Sequence, residues 1–165
     1  MATNTLKILK FPDPRLRTVA KKVTKFDKSL EMLAKDMLEI MYKDNGIGLA
    51  ATQVDHHIRL IVMDLSDARD EPMYFVNPEY KILDEHSLFS FEEGCLSVPG
   101  FNETISRPDK IDLTYQDLKG NLHHEQPDGL LTVCIQHEMD HLEGKLMVDY
   151  ISPIKRDRIR KKLTK

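Results

Sequence analysis

Only two cysteines, Cys95 and Cys134, occur in the chain, and no apolar run approaches the roughly 18 residues of a transmembrane helix. The first scarcity rules out a disulfide framework. It fits a reducing compartment, where a lone cysteine acts as ligand, nucleophile or core filler. Met1 to Lys10 lacks the apolar core of a signal peptide, so no membrane association and a cytoplasmic location are expected. Excess charge of one sign is missing too: 24 Lys and Arg against 27 Asp and Glu leave a net charge of −3. A dedicated nucleic-acid binder carries a strong basic excess. No internal repeat, low-complexity tract or Pro/Gly/Ser-rich linker divides the chain. What is present is 165 residues, 41% hydrophobic and 31% charged. That is enough to bury about 70% of the unfolded surface, and it is not the composition of a disordered segment. One catalytic-sized domain over residues 1–165 is the expectation.

Periodicity predicts the elements. From Asp27 to Lys43, Leu30, Leu33, Met37, Ile40 and Met41 recur at helical spacing, with Asp27 as N-cap and Gly46 as the C-cap glycine. Ile58–Met63 is rich in β-branched residues and predicts a strand, as do Met73–Val76 and Tyr80–Leu83. Lys110–Gln116 alternates, with Ile111, Leu113 and Tyr115 on one face, and Lys119-Gly120-Asn121 turns it into a hairpin. Gly129–Glu143 predicts a second helix, with Asp128 at its N-cap and Gly144 after it. Leu130, Leu131, Val133, Cys134, Ile135, Met139 and Leu142 cover most of its circumference, which marks a buried helix. Ser152-Pro153 opens a third helix, which is basic. The sum is an α+β fold, with antiparallel strands packed around a central buried helix and a C-terminal helix.

The buried helix carries His137-Glu138-Met139-Asp140-His141, an H-E-x-x-H sequence. Residues four apart on a helix differ by about 40° in direction and about 6 Å along the axis. Both imidazoles can therefore point at one metal ion. Glu138 lies at the edge of the same face and can take a proton from a metal-bound water without being a ligand. Buried histidines without a metal would need polar partners of their own.

A catalytic site needs a third protein ligand and an open position. After His141 the chain has no His or Cys, and only Glu143, Asp149 and Asp157 as carboxylates. Glu143 points to nearly the opposite face of the helix, and Met147 stands where a metzincin-like third His would fall. The ligand is thus expected upstream. Cys95, between Gly94 and the Pro99-Gly100 turn signal, is the favoured candidate. Cys134, three residues before His137, is the rival, and spacing does not exclude it.

Gly46-Ile47-Gly48-Leu49-Ala50-Ala51-Thr52-Gln53 matches the dinucleotide pattern G-x-G-x-x-A in form only. That fingerprint needs a strand before it and a helix after it, whereas here a helix precedes and a strand follows. Two glycines before small apolar residues instead suggest a backbone that something approaches closely, with Gln53 as an amide donor nearby.

Taken together and in order, Gly46 to Gln53, Glu93-Gly94-Cys95-Leu96-Ser97 and Gln136 to His141 resemble the bacterial peptide deformylases. The similarity extends to nearly the whole chain, including Phe11-Pro12-Asp13-Pro14. It implies Cys95, His137 and His141 as ligands of one divalent ion. Fe2+ is the usual metal of the family, and Zn2+, Ni2+ or Co2+ are substitutes. It implies removal of the N-formyl group from the initiator methionine of nascent chains, releasing formate. Hydroxide from the metal-bound water would attack the formyl carbon. Glu138 would be the general base and acid, and the Leu96 N–H and Gln53 amide would meet the oxyanion. Ile47, Val133 and Cys134 match positions around the methionine pocket, and Gly48 would bond an extended peptide as an added strand. Glu93 and Arg107 are expected to pair behind the Cys95 loop. Gly100-Phe101-Asn102-Glu103 departs from the family, many of whose bacterial members carry an Arg there.

The last helix holds seven basic residues from Lys155 to Lys165 against one acid, Asp157. A solvated face and a contact with ribosomal RNA are the two readings. The protein is expected to act as a monomer. Rival functions are a small H-E-x-x-H metallopeptidase and a non-catalytic protein with a closed structural metal site, for which Cys134 is the obvious fourth ligand.

Overall fold

A computed structural model describes residues 5–165. The first helix, α1 (Lys28–Lys43), begins where the Asp27 carboxylate accepts the Leu30 N–H at 3.2 Å. It buries Leu30, Ala34, Met37 and Met41, a stripe at helical spacing. Its end differs from the sequence expectation. Asn45, not Gly46, takes the left-handed conformation (φ 60°), which Asn tolerates better than most residues. The Asn45 N–H bonds the Tyr42 carbonyl at 3.1 Å and the Gly46 N–H bonds the Met41 carbonyl at 2.9 Å, which closes a Schellman motif. Gly46 is glycine for another reason: a Cβ there would sit 2.5 Å from Leu96 Cδ1.

The strands are β1 (Gly48–Ala50), β2 (Leu60–Met63), β3 (Met73–Ile82), β4 (Leu88–Cys95), β5 (Val98–Pro108), β6 (Ile111–Gln116) and β7 (Leu122–Glu125). Five of them form an antiparallel sheet in the order β1-β2-β3-β6-β7, and β4 and β5 pair as a separate hairpin. All four residues of β2 are buried, because both faces of the sheet are covered. Leu60 and Val62 pack with Met37 and Met41 of α1. Ile61 and Met63 turn the other way, with Phe75, Ile111 and Leu113, onto Ile135, Met139 and Leu142 of α2 (Gly129–Leu142). The H-E-x-x-H helix is thus central, as expected. Asp128 occupies its N-cap position but makes no side-chain capping bond. At its other end Gly144 is left-handed (φ 75°), and a Cβ there would lie 2.6 Å from the Arg17 carbonyl oxygen. The third helix, α3 (Pro153–Leu163), is capped by Ser152 and buries only Ile159, within a smaller core that also holds Leu9, Phe11, Leu16, Val98 and Ile105.

Two strand expectations and one turn expectation need correction. Ile58 lies before β2, in an isolated bridge to Lys21. Met73–Val76 and Tyr80–Ile82 belong to one strand, β3, with a register shift between Val76 and Glu79, and Leu83 falls just beyond its end. Pro78 supplies no N–H there, and Asn77 (φ 51°) turns its side-chain amide onto Val23 and Gln116. Finally, Pro99-Gly100 lies inside β5 and is not the turn. The turn is Leu96-Ser97, and Gly100 takes up the irregularity with φ 83°.

Candidate metal centre

The central helix buries His137, Glu138 and His141, with 7%, 5% and 1% of their surface exposed. Cys95 reaches them from the last residue of β4. Its Sγ lies 3.4 Å from His141 Nε2, and one ligand atom from each of Cys95, His137 and His141 falls within 4.8 Å of the others. Thiolate and imidazole ligands of one tetrahedral ion stand about 3.5 Å apart, given their usual bond lengths. The donor set therefore fits a divalent transition metal. Among the described residues these are the ones gathered so; Cys134 is not with them. Burial above all, with the charges of Glu138 and Glu93, pushes the Cys134 thiol up to about 12, so it stays protonated. Of the two cysteines that spacing left open, Cys95 is the one placed beside the two histidines.

His137 is oriented from behind. Its Nδ1 lies 2.8 Å from Glu93 Oε1, which leaves Nε2 for a metal. Arg107 grips Glu93 with two bonds of 2.6 and 2.9 Å, and its third arm reaches Asp140 at 3.0 Å. Tyr150 donates its hydroxyl to the same Asp140 oxygen at 2.7 Å, with the guanidinium 4.9 Å over its ring. Burial alone would raise the Glu93 pKa, but His137 and Arg107 outweigh it and hold the carboxyl below its usual range. Burial likewise opposes charge on His137, while Cys95 and Glu93 overcome it and lift the imidazole well above its ordinary value. The sequence reading anticipated the pairing of Glu93 with Arg107. It missed Asp140, a variable position of the H-E-x-x-H sequence, and Tyr150, which lies outside every motif; both meet Arg107 only through the fold.

Glu138 stands beside the cluster, with Oε1 3.9 Å from His137 Nε2. Its Oε2 is buried and has no hydrogen-bond partner among the described residues. Burial, foremost, pushes its carboxyl up to about 7. Gly48 lies against it: a Cβ at Gly48 would be 2.9 Å from Glu138 Oε1. The two glycines of the Gly46 motif are therefore approached closely by Leu96 and by Glu138.

Gln53 sits in a short 3-10 turn (Ala51–Val54) that follows β1. Its Oε1 accepts the Ala50 N–H at 3.0 Å, which directs Nε2 to Ser97 Oγ at 3.0 Å and toward Cys95 Sγ at 3.7 Å. The N-terminal segment straps these pieces together. Leu9 N–H bonds the Gln53 carbonyl (2.7 Å), Phe11 N–H the Ser97 carbonyl (2.8 Å) and Lys10 Nζ the Leu96 carbonyl (2.9 Å). Ser97, inside the cysteine motif, thus anchors both the Gln53 amide and the N-terminal segment.

The cluster opens into a cavity of about 770 Å³ lined by Ile47, Gly48, Leu96, Val133, Cys134 and Glu138 among others. Phe91, which the sequence reading left out, lines it as well. β1 is an edge strand, paired to β2 alone. In the β1–β2 ladder Ile47 accepts from Asp64 N–H at 2.9 Å, so by strand alternation the peptide groups of Gly48 turn to the free side.

The sequence profile of the polypeptide deformylase family matches residues 5–157. The chain belongs to the peptide deformylase family. It is 59% identical to the peptide deformylase of Cellvibrio japonicus over 160 residues, covering 97% of this chain and 94% of that one. With the Pseudomonas aeruginosa peptide deformylase the identity is 57%, covering 97% and 95%. The crystal structure of a peptide deformylase from Legionella pneumophila superposes with a TM-score of 0.89 at 45% identity, covering 96% of this chain and 93% of that one. The Ehrlichia chaffeensis enzyme in complex with actinonin gives 0.89 at 37% identity, covering 96% and 95%. The chain is accordingly a metalloenzyme of this family, removing the N-formyl group from newly made peptides that begin with formyl-methionine. Among the described residues no helix is long and apolar enough to cross a membrane.

Proposed function

We propose that Cys95, His137 and His141 hold one divalent ion, Fe2+ in the cell with Zn2+, Ni2+ or Co2+ as substitutes, and that Glu138 is the general base and acid of deformylation. The observation that carries this reading is the buried Glu138 carboxylate: one oxygen uncommitted, beside the three-ligand cluster, at the wall of a cavity large enough for a methionine side chain. When bound, the ion supplies the Lewis acidity that makes hydroxide available from water near neutral pH. Glu138 receives the water proton on Oε2 and returns it to the leaving amine nitrogen, so the peptide departs as a free amine and the formyl group as formate. A carboxyl lifted toward neutrality by burial suits both transfers. The Leu96 N–H and the Gln53 Nε2 donate to the charge that develops on the formyl oxygen. Each such donor is worth about 3–4 kcal/mol when preorganised, and the Ala50 and Ser97 bonds hold the Gln53 amide in place.

Ile47, Val133 and Cys134 enclose the methionine side chain, and Gly48 binds the peptide backbone as an added strand on the free edge of β1. The whole of residues 1–165 forms one catalytic domain that works as a monomer in the cytoplasm. The basic face of α3, with every residue but Arg156, Ile159 and Leu163 exposed, meets the ribosome near emerging chains.

Formate release from formyl-Met-Ala-Ser by protein loaded anaerobically with Fe2+ tests the reaction. The expected products are formate and intact Met-Ala-Ser. Cleavage between methionine and alanine would make the chain a peptidase, and no turnover by folded, metal-loaded protein would return it to the structural-metal reading.

A further inference from the structure

The segment that leads into the Gly48 edge is held by a loop that contributes none of the three candidate ligands. Residues 64–72 connect β2 to β3 and fold around the buried Asp64. Asp64 accepts Ser66 N–H (2.9 Å), Ser66 Oγ (2.6 Å), Glu71 N–H (3.1 Å) and the Tyr42 hydroxyl. From this loop Arg69, itself left-handed (φ 58°), lays its guanidinium 5.0 Å over the Tyr42 ring and donates to the Gly46 carbonyl. The next carbonyl, that of Ile47, is held by Asp64 N–H at 2.9 Å. On the far side of Gly48 the Ala50 N–H is taken by Gln53 Oε1 at 3.0 Å. Backbone groups on both sides of Gly48 are thus committed, and Gly48 has no side chain to fix its own orientation.

We infer that Arg69 is a positioning residue of the peptide-binding edge: by holding the Gly46 carbonyl it fixes the backbone from which Gly48 offers its N–H and C=O to the substrate. This rests on the reading that the peptide adds as a strand at Gly48. Arg69 is not among the residues that line the cavity, and its contacts are Gly46 and Tyr42. Its planar fork can stack on Tyr42 and bond Gly46 at once, and a lysine ammonium cannot do both in that way. Loss of Arg69 frees the Gly46 carbonyl and leaves two ties on this side, the Gly46 N–H on the Met41 carbonyl and the Asp64 N–H on the Ile47 carbonyl. The edge then keeps its sequence and loses its fixed orientation, which weakens substrate binding more than the chemical step.

The test is a cycle between the protein and the substrate backbone. Metal-loaded wild type, Arg69→Met and Arg69→Lys are assayed with formyl-Met-Ala-Ser and with versions N-methylated at the alanine or the serine nitrogen. In the wild type, methylating the nitrogen that pairs with the edge should lower kcat/KM by about fivefold, the worth of one hydrogen bond. Arg69→Met should raise KM for the unmodified peptide by about fivefold with kcat within about twofold. Its penalty for N-methylation should nearly vanish. Arg69→Lys should lie between the two, and it carries the test if the Met variant does not fold. An unchanged N-methyl penalty in the variants, or a loss confined to kcat and melting temperature, would overturn the inference. So would a wild type insensitive to N-methylation at both positions. Absence of formate from the wild type with any of these peptides would instead count against the proposed reaction.

Discussion

Arg107 is the residue on which the rear of the metal centre depends. It is 4% exposed and bonds two carboxylates with three N–H groups, two on Glu93 and one on Asp140. Arg107→Met keeps most of the side-chain volume and removes the charge. Glu93, also 4% exposed, is then a buried carboxylate whose remaining partner is His137. Breaking a buried pair from one side typically destabilises by about 3–5 kcal/mol. For a chain of this size that is a fall in melting temperature of about 6–20 °C. The second effect is on metal. With neither Glu93 oxygen fixed by Arg107, the carboxylate loses its alignment on His137 Nδ1, and outer partners of ligating histidines are commonly worth about 10–100-fold in metal affinity. The double variant Arg107→Met/Glu93→Gln removes both charges and should be less damaged in stability than the sum of the two single changes, with a coupling above about 1 kcal/mol. Urea unfolding of the metal-free variants gives the stability difference, and chelator competition gives the affinity. A loss below about 1 kcal/mol with metal affinity intact would refute the reasoning, since an exposed ion pair would behave that way.

Three further changes follow from the same structure. Gly48→Ala sets a methyl 2.9 Å from Glu138 Oε1 and should lower formate release by at least about tenfold through misplacement of the base, while metal content by atomic absorption stays at the wild-type value. Gly144→Ala combines a left-handed backbone with a Cβ 2.6 Å from the Arg17 carbonyl oxygen, and should cost at least about 2 kcal/mol in urea unfolding. Asp64→Asn should show its effect through pH. Burial works against the Asp64 charge, but bonds from Ser66, Tyr42 and Glu71 prevail and hold its carboxyl down to about 2. A carboxyl lowered on folding contributes stability above its unfolded value near 3.8, and that contribution fades as pH falls toward 2. The wild type should therefore exceed Asp64→Asn in melting temperature from pH 5 to 7, with the gap narrowing between pH 4 and 2; a gap independent of pH would contradict the assignment.

What could be read from the sequence was what is encoded locally. Asp27 caps α1 and Ser152 caps α3 because each bonds an N–H three residues on. The β6–β7 hairpin follows from alternation and a glycine turn. The H-E-x-x-H spacing brings His137 and His141 together by helix geometry alone. Partners that meet only through the fold were not legible that way. Cys95 and His141 are 46 residues apart, so spacing could not choose between Cys95 and Cys134; the family resemblance could. The β4–β5 hairpin escaped because its outer residues break the pattern: Leu88 and Phe89 are exposed, and Pro99-Gly100 reads as a turn but sits within a strand. At the end of α1 the sequence pointed to the glycine, whereas Asn45 fills the left-handed position and Gly46 is the residue against which Leu96 packs closely. The Asp140–Arg107–Glu93–His137 chain joins residues of three elements and has no local signature.

Metal content and formate release, measured on the same anaerobic preparations of wild type, Glu138→Ala and His137→Ala, bear most directly on the assignment of Glu138. The account predicts one ion per chain and formate from the wild type, one ion and no formate from Glu138→Ala, and neither from His137→Ala. Formate from Glu138→Ala at the wild-type rate, or loss of its metal to the same extent as in His137→Ala, would contradict it.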